Sequence, residues 1–223
     1  MDTDQYYELR AECAAKKVTL VAVSKIQPNA KIEQLYALGQ RDFGENYVQE
    51  LVEKSAVLPK DIQWHFIGHL QSNKVKMIAP FVHLIHAVDS FKLLQEIEKH
   101  AAKNDRIIDL LLQLHIATEE TKYGMDVMEL KTCLEYYTAQ AESLMHIRVR
   151  GIMGMASFTD DEAQLRNELK QIHSVFTKMK TTYFADKTYF DACSMGMSGD
   201  YKMAIEEGSS MVRIGSMLFG ARK

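Results

Sequence analysis

The stretch that decides the fold is Val18-Thr19-Leu20-Val21-Ala22-Val23-Ser24-Lys25, an apolar run of strand length that ends on a lysine. Such a run is typical of a parallel β-strand that is buried on both faces. Two-residue alternation places Val21, Val23 and Lys25 on one face, so the lysine shares a side with two valines. A primary amine in apolar surroundings loses the hydration that favours its charged form, and the neutral amine can form an imine with an aldehyde. The alternative is a strand-end lysine whose amine reaches water and takes part in no chemistry.

The composition is that of an ordinary globular chain and argues against several classes of protein. The chain has 223 residues, a formal net charge of -3 and three widely separated cysteines, Cys13, Cys133 and Cys193. Because the cysteines are odd in number and far apart, the sequence indicates neither a disulfide framework nor a zinc site. We predict that they are thiols in the core. Because no basic stripe with interleaved aromatic residues occurs, nucleic acid is not an expected partner. The apolar runs are too short for a membrane span and the acidic start, Met1-Asp2-Thr3-Asp4, does not resemble a signal peptide, so we expect a cytoplasmic protein.

Strand and helix patterns alternate along the whole chain. The predicted strands cover residues 18–25, 41–46, 62–68, 83–88, 107–116, 147–155, 190–195 and 211–219. A helix is predicted at about 4–16, and one helical pattern separates each strand from the next. Eight alternations are the count of a closed barrel, so we predict an α/β fold: a single (β/α)8 TIM barrel over residues 1–223 with an extra N-terminal helix. An open doubly wound sheet is the alternative, but the first strand is followed by Ser-Lys-Ile-Gln-Pro and not by a glycine-rich turn.

Two loops at the expected active face are suited to a phosphate. In barrels of this kind the active face lies at the carboxyl ends of the strands, and loops after strands seven and eight often hold a phosphate. Gly196-Met197-Ser198-Gly199-Asp200 follows the seventh strand, and Gly215-Ser216 comes late in the eighth. Each combines a hydroxyl with a glycine that lets backbone approach an anion, but each also fits an ordinary turn or a strand irregularity.

Arg213 lies within the apolar eighth strand, where a guanidinium needs an acceptor. That acceptor is either a carboxylate inside the barrel, for example Glu45 or Asp191, or an atom of a ligand. Because the first and eighth strands of a closed barrel are neighbours, Lys25 and Arg213 would be adjacent. A lysine, an arginine and two phosphate-suited loops together indicate a pocket for pyridoxal 5'-phosphate, an aromatic phosphate that carries an aldehyde.

Five segments of the chain are similar to the pyridoxal phosphate homeostasis protein family. They are Val23-Ser24-Lys25, residues 43–50 (FGENYVQE), residues 64–74 (WHFIGHLQSNK), Ser194-Met195-Gly196-Met197-Ser198 and Val212-Arg213-Ile214-Gly215. They occur in the family's order, and the longer blocks are specific. The resemblance implies the barrel of the alanine racemase N-terminal domain and of other fold type III proteins, which bind pyridoxal 5'-phosphate covalently. It also implies a role in vitamin B6 homeostasis without robust catalytic turnover.

The same resemblance implies roles for individual residues. Lys25 would form the Schiff base with the cofactor, and Arg213 would face the pyridine nitrogen. Asn46 would line the ring. The hydroxyls of Ser198 and Ser216, with the backbone around Gly215, would hold the phosphate. Family members often have threonine where this chain has Ser216, which keeps the hydroxyl; no catalytic residue and no metal ligand is implied.

An arginine beside the pyridine nitrogen has a chemical consequence. A guanidinium stays charged and only donates, so the nitrogen remains unprotonated and the ring is a weak electron sink. The second base of alanine racemase is a tyrosine from another domain of a partner subunit, whereas this sequence ends just after the eighth predicted strand. We therefore expect no enzyme but a monomeric carrier that buffers the cofactor or delivers it to apoenzymes.

Two other functions remain open from the sequence. A fold type III amino-acid racemase or lyase would use the same cofactor. A Schiff-base aldolase acting on a sugar phosphate would use Lys25 without a cofactor. Lys122, in the loop after the fifth strand, either reaches a ligand phosphate or carboxylate or is exposed to solvent.

Overall fold

The computed structural model describes residues 3–116 and 123–220, and within them eight parallel strands close into one barrel in sequence order. The strands are β1 Thr19–Val23, β2 Asp42–Glu45, β3 Gln63–Phe66, β4 Leu84–Val88, β5 Ile108–Leu114, β6 Ile147–Gly154, β7 Ala192–Met197 and β8 Met211–Ile214. The helices are α1 Thr3–Ala15, α2 Asn29–Ala37, α3 Val48–Val57, α4 Val75–Ile78, α5 Phe91–Lys103, α6 Val127–Ala139, α7 Glu162–Tyr183, α8 Tyr201–Glu206 and α9 Ser216–Phe219. A 3-10 turn, Ser72–Lys74, precedes α4. The prediction of an α/β barrel with an extra N-terminal helix is confirmed.

Alternation along β1 explains why this strand is apolar on both faces. Leu20 and Ala22 pack in the outer core between the strands and the helices, whereas Val21 belongs to a separate cluster inside the barrel. That inner cluster consists of Val21, Leu84, Ala87, Leu111, Met153, Ala192 and Met211. Full burial of a valine or leucine side chain stabilises a fold by roughly 1.5–3 kcal/mol. The barrel interior beside β1 is therefore packed with apolar side chains.

The last two strands differ from the sequence prediction. β8 ends at Ile214, and Ser216–Phe219 forms the short helix α9 where the sequence indicated strand to residue 219. The amides of Leu218 and Phe219 both donate to the carbonyl of Gly215, at 3.0 Å each, which is a helical and not an extended arrangement. Both side chains still pack in the outer core. A short apolar run fits either element by periodicity alone, and this one forms a helix. β7 extends to Met197, two residues beyond its predicted end.

The three cysteines are buried and free, as predicted. Burial raises the pKa of Cys13 and of Cys133 to about 11 and that of Cys193 to about 12, so these thiols stay protonated near neutral pH. In the part of the chain that the structure describes, no helix is both long and apolar enough to cross a membrane.

Candidate functional site

Lys25 lies in a turn just beyond the end of β1, at the carboxyl-end mouth of the barrel. The strand ends at Val23, earlier than predicted, but Ser24 still follows β2, since its amide donates to the Gly44 carbonyl at 3.0 Å. The Lys25 side chain is partly buried. The next residue, Ile26, has a left-handed φ of 61°. For a β-branched residue this conformation is strained, and it persists only where surrounding contacts hold it.

Those contacts come from α3, through a buried ion cluster. The ammonium group of Lys54 donates to the Ser24 carbonyl at 2.7 Å. It also donates to Glu45 Oε1 at 2.8 Å and to Glu50 Oε1 at 2.6 Å. The amide of Ile26 donates to the same Glu50 oxygen at 2.6 Å. The backbone on both sides of residue 25 is therefore tied to one lysine.

Glu45 occupies the centre of this cluster and is fully buried. Its Oε1 atom also accepts a hydrogen bond from the Ser24 hydroxyl at 2.5 Å, whereas Oε2 has no partner among the described residues. Burial raises the pKa of the Glu45 carboxyl even though Lys54 opposes the shift. Glu45 therefore pairs with Lys54, and the interpretation that it neutralises Arg213 is wrong.

Asn46 follows β2 at the height at which Lys25 follows β1. Val23 and Gly44 are register partners, and Lys25 and Asn46 each lie two residues farther along. The Asn46 Oδ1 atom is buried and finds no hydrogen-bond partner within residues 3–116 and 123–220. An orphaned buried amide oxygen costs free energy, so this atom fits a donor that a ligand would supply.

Arg213 is 5% exposed and lies on β8, in register with Val21 of β1. Its Nη1 donates to Ser194 Oγ at 2.6 Å, and its Nη2 donates to the Gly154 carbonyl at 3.1 Å. Burial lowers the pKa of the guanidinium to about 10, so it remains charged at neutral pH. These bonds use two of its five N–H donors, which leaves donors for an acceptor on a ligand.

The salt bridge that the sequence suggested as an alternative for Arg213 is absent from the described residues. Asp191, the second suggested partner, binds Arg150 instead, with a distance of 2.7 Å between Oδ1 and Nη2. Arg213 is held by a hydroxyl and a backbone carbonyl, neither of which carries a charge. Its charge is therefore available to the site.

The two phosphate-suited loops are in direct contact. The amide of Gly215 donates to Ser198 Oγ at 3.2 Å, and Ser216 follows at the start of α9. A Cβ atom added to Gly215 would lie 3.5 Å from the Val23 carbonyl oxygen, so this loop borders the end of β1. Because Ser198 accepts from the backbone, its own hydroxyl hydrogen can be donated to an anion.

The predicted site residues thus lie on or just after four neighbouring strands, β7, β8, β1 and β2. An amine, a guanidinium, two hydroxyls and an orphaned amide oxygen fit pyridoxal 5'-phosphate, which offers an aldehyde, a ring nitrogen, a phosphate and a phenolic hydroxyl. Lys122 lies outside the described residues. In the ranges that the structure describes, no group of three or more His, Cys, Asp or Glu could hold a metal ion.

Sequence reasoning missed two residues that support this site. Lys54 lies four residues after Glu50 on a helix, which from sequence is typical of an exposed ion pair. Ser194 was part of a matching segment but had no role assigned to it. The only local signal for Ser194 is a hydroxyl within an otherwise apolar strand.

A known family and several curated proteins are similar to this chain over nearly its whole length. The family described as alanine racemase, N-terminal domain, matches residues 3–223. The pyridoxal phosphate homeostasis protein of Aquifex aeolicus is 37% identical over 215 residues, which cover 96% of this chain and 90% of the relative. That of Pasteurella multocida is 36% identical over 221 residues, covering 98% and 92%.

Solved structures with the same fold also cover nearly the whole chain. PipY of Synechococcus elongatus PCC7942, solved without PLP, superimposes with a TM-score of 0.89 at 33% identity and covers 97% of this chain and 99% of its own. The structure of PipY with PLP bound has a TM-score of 0.85 at 32% identity, with the same coverage.

Proposed function

This chain belongs to the pyridoxal phosphate homeostasis protein family, and we propose that it binds pyridoxal 5'-phosphate covalently, as a Schiff base on Lys25. In this proposal the protein buffers the cofactor or delivers it to apoenzymes in vitamin B6 homeostasis, and it does not turn over a substrate. The proposal is supported by one observation: Lys25 follows β1, Arg213 lies on the paired strand β8, and the Ser198–Gly215 contact borders the end of β1. PipY, a relative with the same fold, has been solved with PLP bound.

Each group of the site has one task in this proposal. When bound, the cofactor supplies an aldehyde that condenses with an amine, and an aromatic ring that can delocalise charge. Lys25 Nζ forms the carbon–nitrogen double bond and one water molecule leaves. Ser198 and Ser216 donate their hydroxyl hydrogens to the phosphate, with the backbone of Gly215 beside them. Asn46 contacts the ring through its buried amide oxygen.

Arg213 favours storage of the cofactor over catalysis. Its charge persists at neutral pH, and a guanidinium can only donate to the ring nitrogen. An unprotonated ring withdraws electrons weakly, so loss of a proton or a carboxyl group from a bound amino acid is poorly assisted. Reversible imine formation does not need this electron withdrawal.

The chain would act as a monomer, with residues 1–223 as one cofactor-binding unit. Lys25, Asn46, Ser198, Arg213 and Ser216 come from a single chain, so the proposed site needs no partner subunit. Recipient apoenzymes would take the cofactor from the open carboxyl end of the barrel.

The experiment is an absorption spectrum before and after addition of pyridoxal 5'-phosphate. We expect a visible band that disappears on borohydride reduction, after which mass spectrometry places the pyridoxyl group on the peptide containing Lys25. A Lys25→Ala variant should lack the band, and Lys76→Ala, which removes an exposed lysine elsewhere, should keep it. A colourless wild-type protein would refute the proposal.

Two further measurements separate the alternatives. Exchange of amino-acid α-hydrogens with deuterated water, well above the rate with free cofactor, would identify a racemase or lyase. Borohydride trapping of a sugar phosphate on Lys25 in the absence of the cofactor would identify an aldolase.

A further inference from the structure

A chain of hydrogen bonds leads from Arg213 across the interior of the barrel. Ser194 Oγ, which accepts from Arg213, lies 3.2 Å from His86 Nδ1. His86 Nε2 lies 2.9 Å from His65 Nδ1, and His65 Nε2 lies 3.1 Å from Asp42 Oδ1. The first four residues are at most 5% exposed, whereas the Asp42 side chain is 26% exposed. The chain therefore joins the proposed cofactor site to the amino-terminal end of the barrel, where Asp42 begins β2.

With both imidazole rings neutral, the carboxylate of Asp42 fixes the direction of every hydrogen bond in this chain. A guanidinium only donates and a carboxylate only accepts. Since Ser194 accepts from Arg213, its single hydroxyl hydrogen is free for His86 Nδ1. His86 then carries its proton on Nε2 and donates to His65, which in turn donates from Nε2 to Asp42. The reverse order would place the lone pair of His65 Nε2 against the Asp42 carboxylate.

This arrangement requires both imidazole rings to be neutral, and the surroundings of His86 favour that state. Burial, with the nearby His65 and Arg213, lowers the pKa of His86 well below its ordinary value. Each link then has one donor and one acceptor, which is the condition under which a buried polar network stabilises one conformation.

We propose that Ser194, His86, His65 and Asp42 are positioning residues that aim Arg213 at the ring nitrogen of the cofactor and so make the site selective for a pyridine ring. The inference rests on the proposed function. The guanidinium is held at two points, Ser194 and the Gly154 carbonyl, and without the first it can turn about the second. His86 acts one step farther away, because its Nδ1 takes the hydroxyl hydrogen and leaves the oxygen of Ser194 facing Arg213.

Selectivity for the ring nitrogen can be measured with a pair of ligands. One is pyridoxal 5'-phosphate, and the other is 1-deazapyridoxal 5'-phosphate, in which a C–H group replaces the ring nitrogen while aldehyde and phosphate remain. The wild type should bind the first about tenfold more tightly, as expected for a hydrogen bond from a charged donor. The quantity to compare among variants is the ratio of the two dissociation constants from equilibrium titration.

Ser194→Ala and His86→Phe should reduce this ratio to about twofold, because the lost bond releases the guanidinium. The loss should come from weaker binding of pyridoxal 5'-phosphate, with the affinity for the deaza analogue unchanged. His83→Asn is the matched control: its ring lies 5.4 Å from that of His65, but it is not a link of the chain. This variant should keep the wild-type ratio.

Asp42 supplies a test at the partly exposed end, where a substitution disturbs packing least. Asp42→Asn keeps an oxygen that accepts from His65 and should preserve the ratio. Asp42→Ala removes the acceptor and should lower the ratio of the two dissociation constants to about a third of its wild-type value. If His86→Phe does not fold, the comparison of Asp42→Asn with Asp42→Ala tests whether the chain positions Arg213.

The outcomes separate the two proposals. If the wild type discriminates and the variants discriminate equally well, or if they lose affinity for both ligands to the same extent, the positioning role is overturned and the proposed function stands. A wild type that binds neither ligand overturns the proposed function itself. A wild type that binds both equally overturns the role of Arg213 and with it this inference.

Discussion

Substitution of Lys54 by methionine tests how the fold holds the backbone around Lys25. Methionine keeps most of the side-chain volume but removes three hydrogen bonds, to Ser24, Glu45 and Glu50. Removal of one partner of a buried ion pair costs about 3–5 kcal/mol, because the other charge stays buried without compensation. Glu45 can relieve part of this cost by taking up a proton, since burial already raises the pKa of its carboxyl. We therefore expect a loss of about 3 kcal/mol in the free energy of unfolding.

The loss should depend on pH, with a sign that follows from the pKa of Glu45. A carboxyl whose pKa is raised in the folded state binds more protons there than in the unfolded chain, so stability falls as pH rises between the two pKa values. Without Lys54 this pKa rises farther, which extends that interval upward. The variant should therefore lose more stability at about pH 8 than at about pH 5.

In the Lys54→Met variant the equilibrium constant for imine formation should fall more than the affinity for the rest of the cofactor. The Ser24 carbonyl loses the ammonium of Lys54 and keeps the amide of Gln27 as its donor. The strained backbone of Ile26 keeps its bond to Glu50, but Glu50 is no longer held by Lys54. We expect the equilibrium constant for Schiff-base formation to fall about tenfold, on the order of the 1–3 kcal/mol that such a strained conformation stores. The affinity for 4-deoxypyridoxine 5'-phosphate, which has no aldehyde, should not change.

Denaturant titration measures the stability of this variant, and visible absorbance and equilibrium titration measure the two ligands. Lys60→Met is the matched control, because this exposed lysine bonds only to the carbonyls of Ser55 and Ala56 near the end of α3. Lys60→Met should change the free energy of unfolding by at most about 0.5 kcal/mol. The reasoning fails if the two variants unfold at the same denaturant concentration, or if the aldehyde-free analogue loses as much affinity as the cofactor.

Further outcomes are expected at the phosphate loops, at a close backbone contact and at the cysteines. Ser198→Ala or Ser216→Ala should weaken pyridoxal 5'-phosphate about tenfold but leave the affinity for pyridoxal, which has no phosphate, unchanged; an equal loss for both ligands would contradict a phosphate role. Gly68→Ala would place a Cβ atom 2.2 Å from the Asn46 carbonyl oxygen, so denaturant titration should show a loss of about 2–3 kcal/mol, and an unchanged midpoint would refute this contact. A thiol reagent should label the three buried cysteines only after unfolding, and rapid labelling of the native protein would contradict their raised pKa values.

The barrel and the position of Lys25 follow from local features of the sequence. A strand buried on both faces is almost continuously apolar, as residues 20–23 are, and strand and helix patterns alternate often enough to close a barrel. In such a barrel the residues after the strands meet at one mouth. Lys25, Ser198 and Gly215 could therefore be placed together without coordinates.

The environments of the charged residues required the tertiary structure. From sequence, Arg213 had Glu45 or Asp191 as candidate partners, and Lys54 had the spacing of a surface ion pair. The structure instead gives Arg213 the hydroxyl of Ser194 and buries Lys54 beneath the turn at residue 25. β8 also gives way to α9 after Ile214.

The sequence predicts the strands and helices better than the partners of buried charges, and this has one physical reason. Apolar periodicity acts within a few residues and is written into each segment, so the sequence by itself determines elements and their order. The partner of a buried polar group depends on which side chains meet across the barrel. The register of the paired strands decides this, and irregular pairing shifts the register between β4 and β5 and between β7 and β8. Only the closed barrel brings Ser194 to Arg213 and Lys54 to Ser24, because segments distant in the chain become neighbours when the sheet closes.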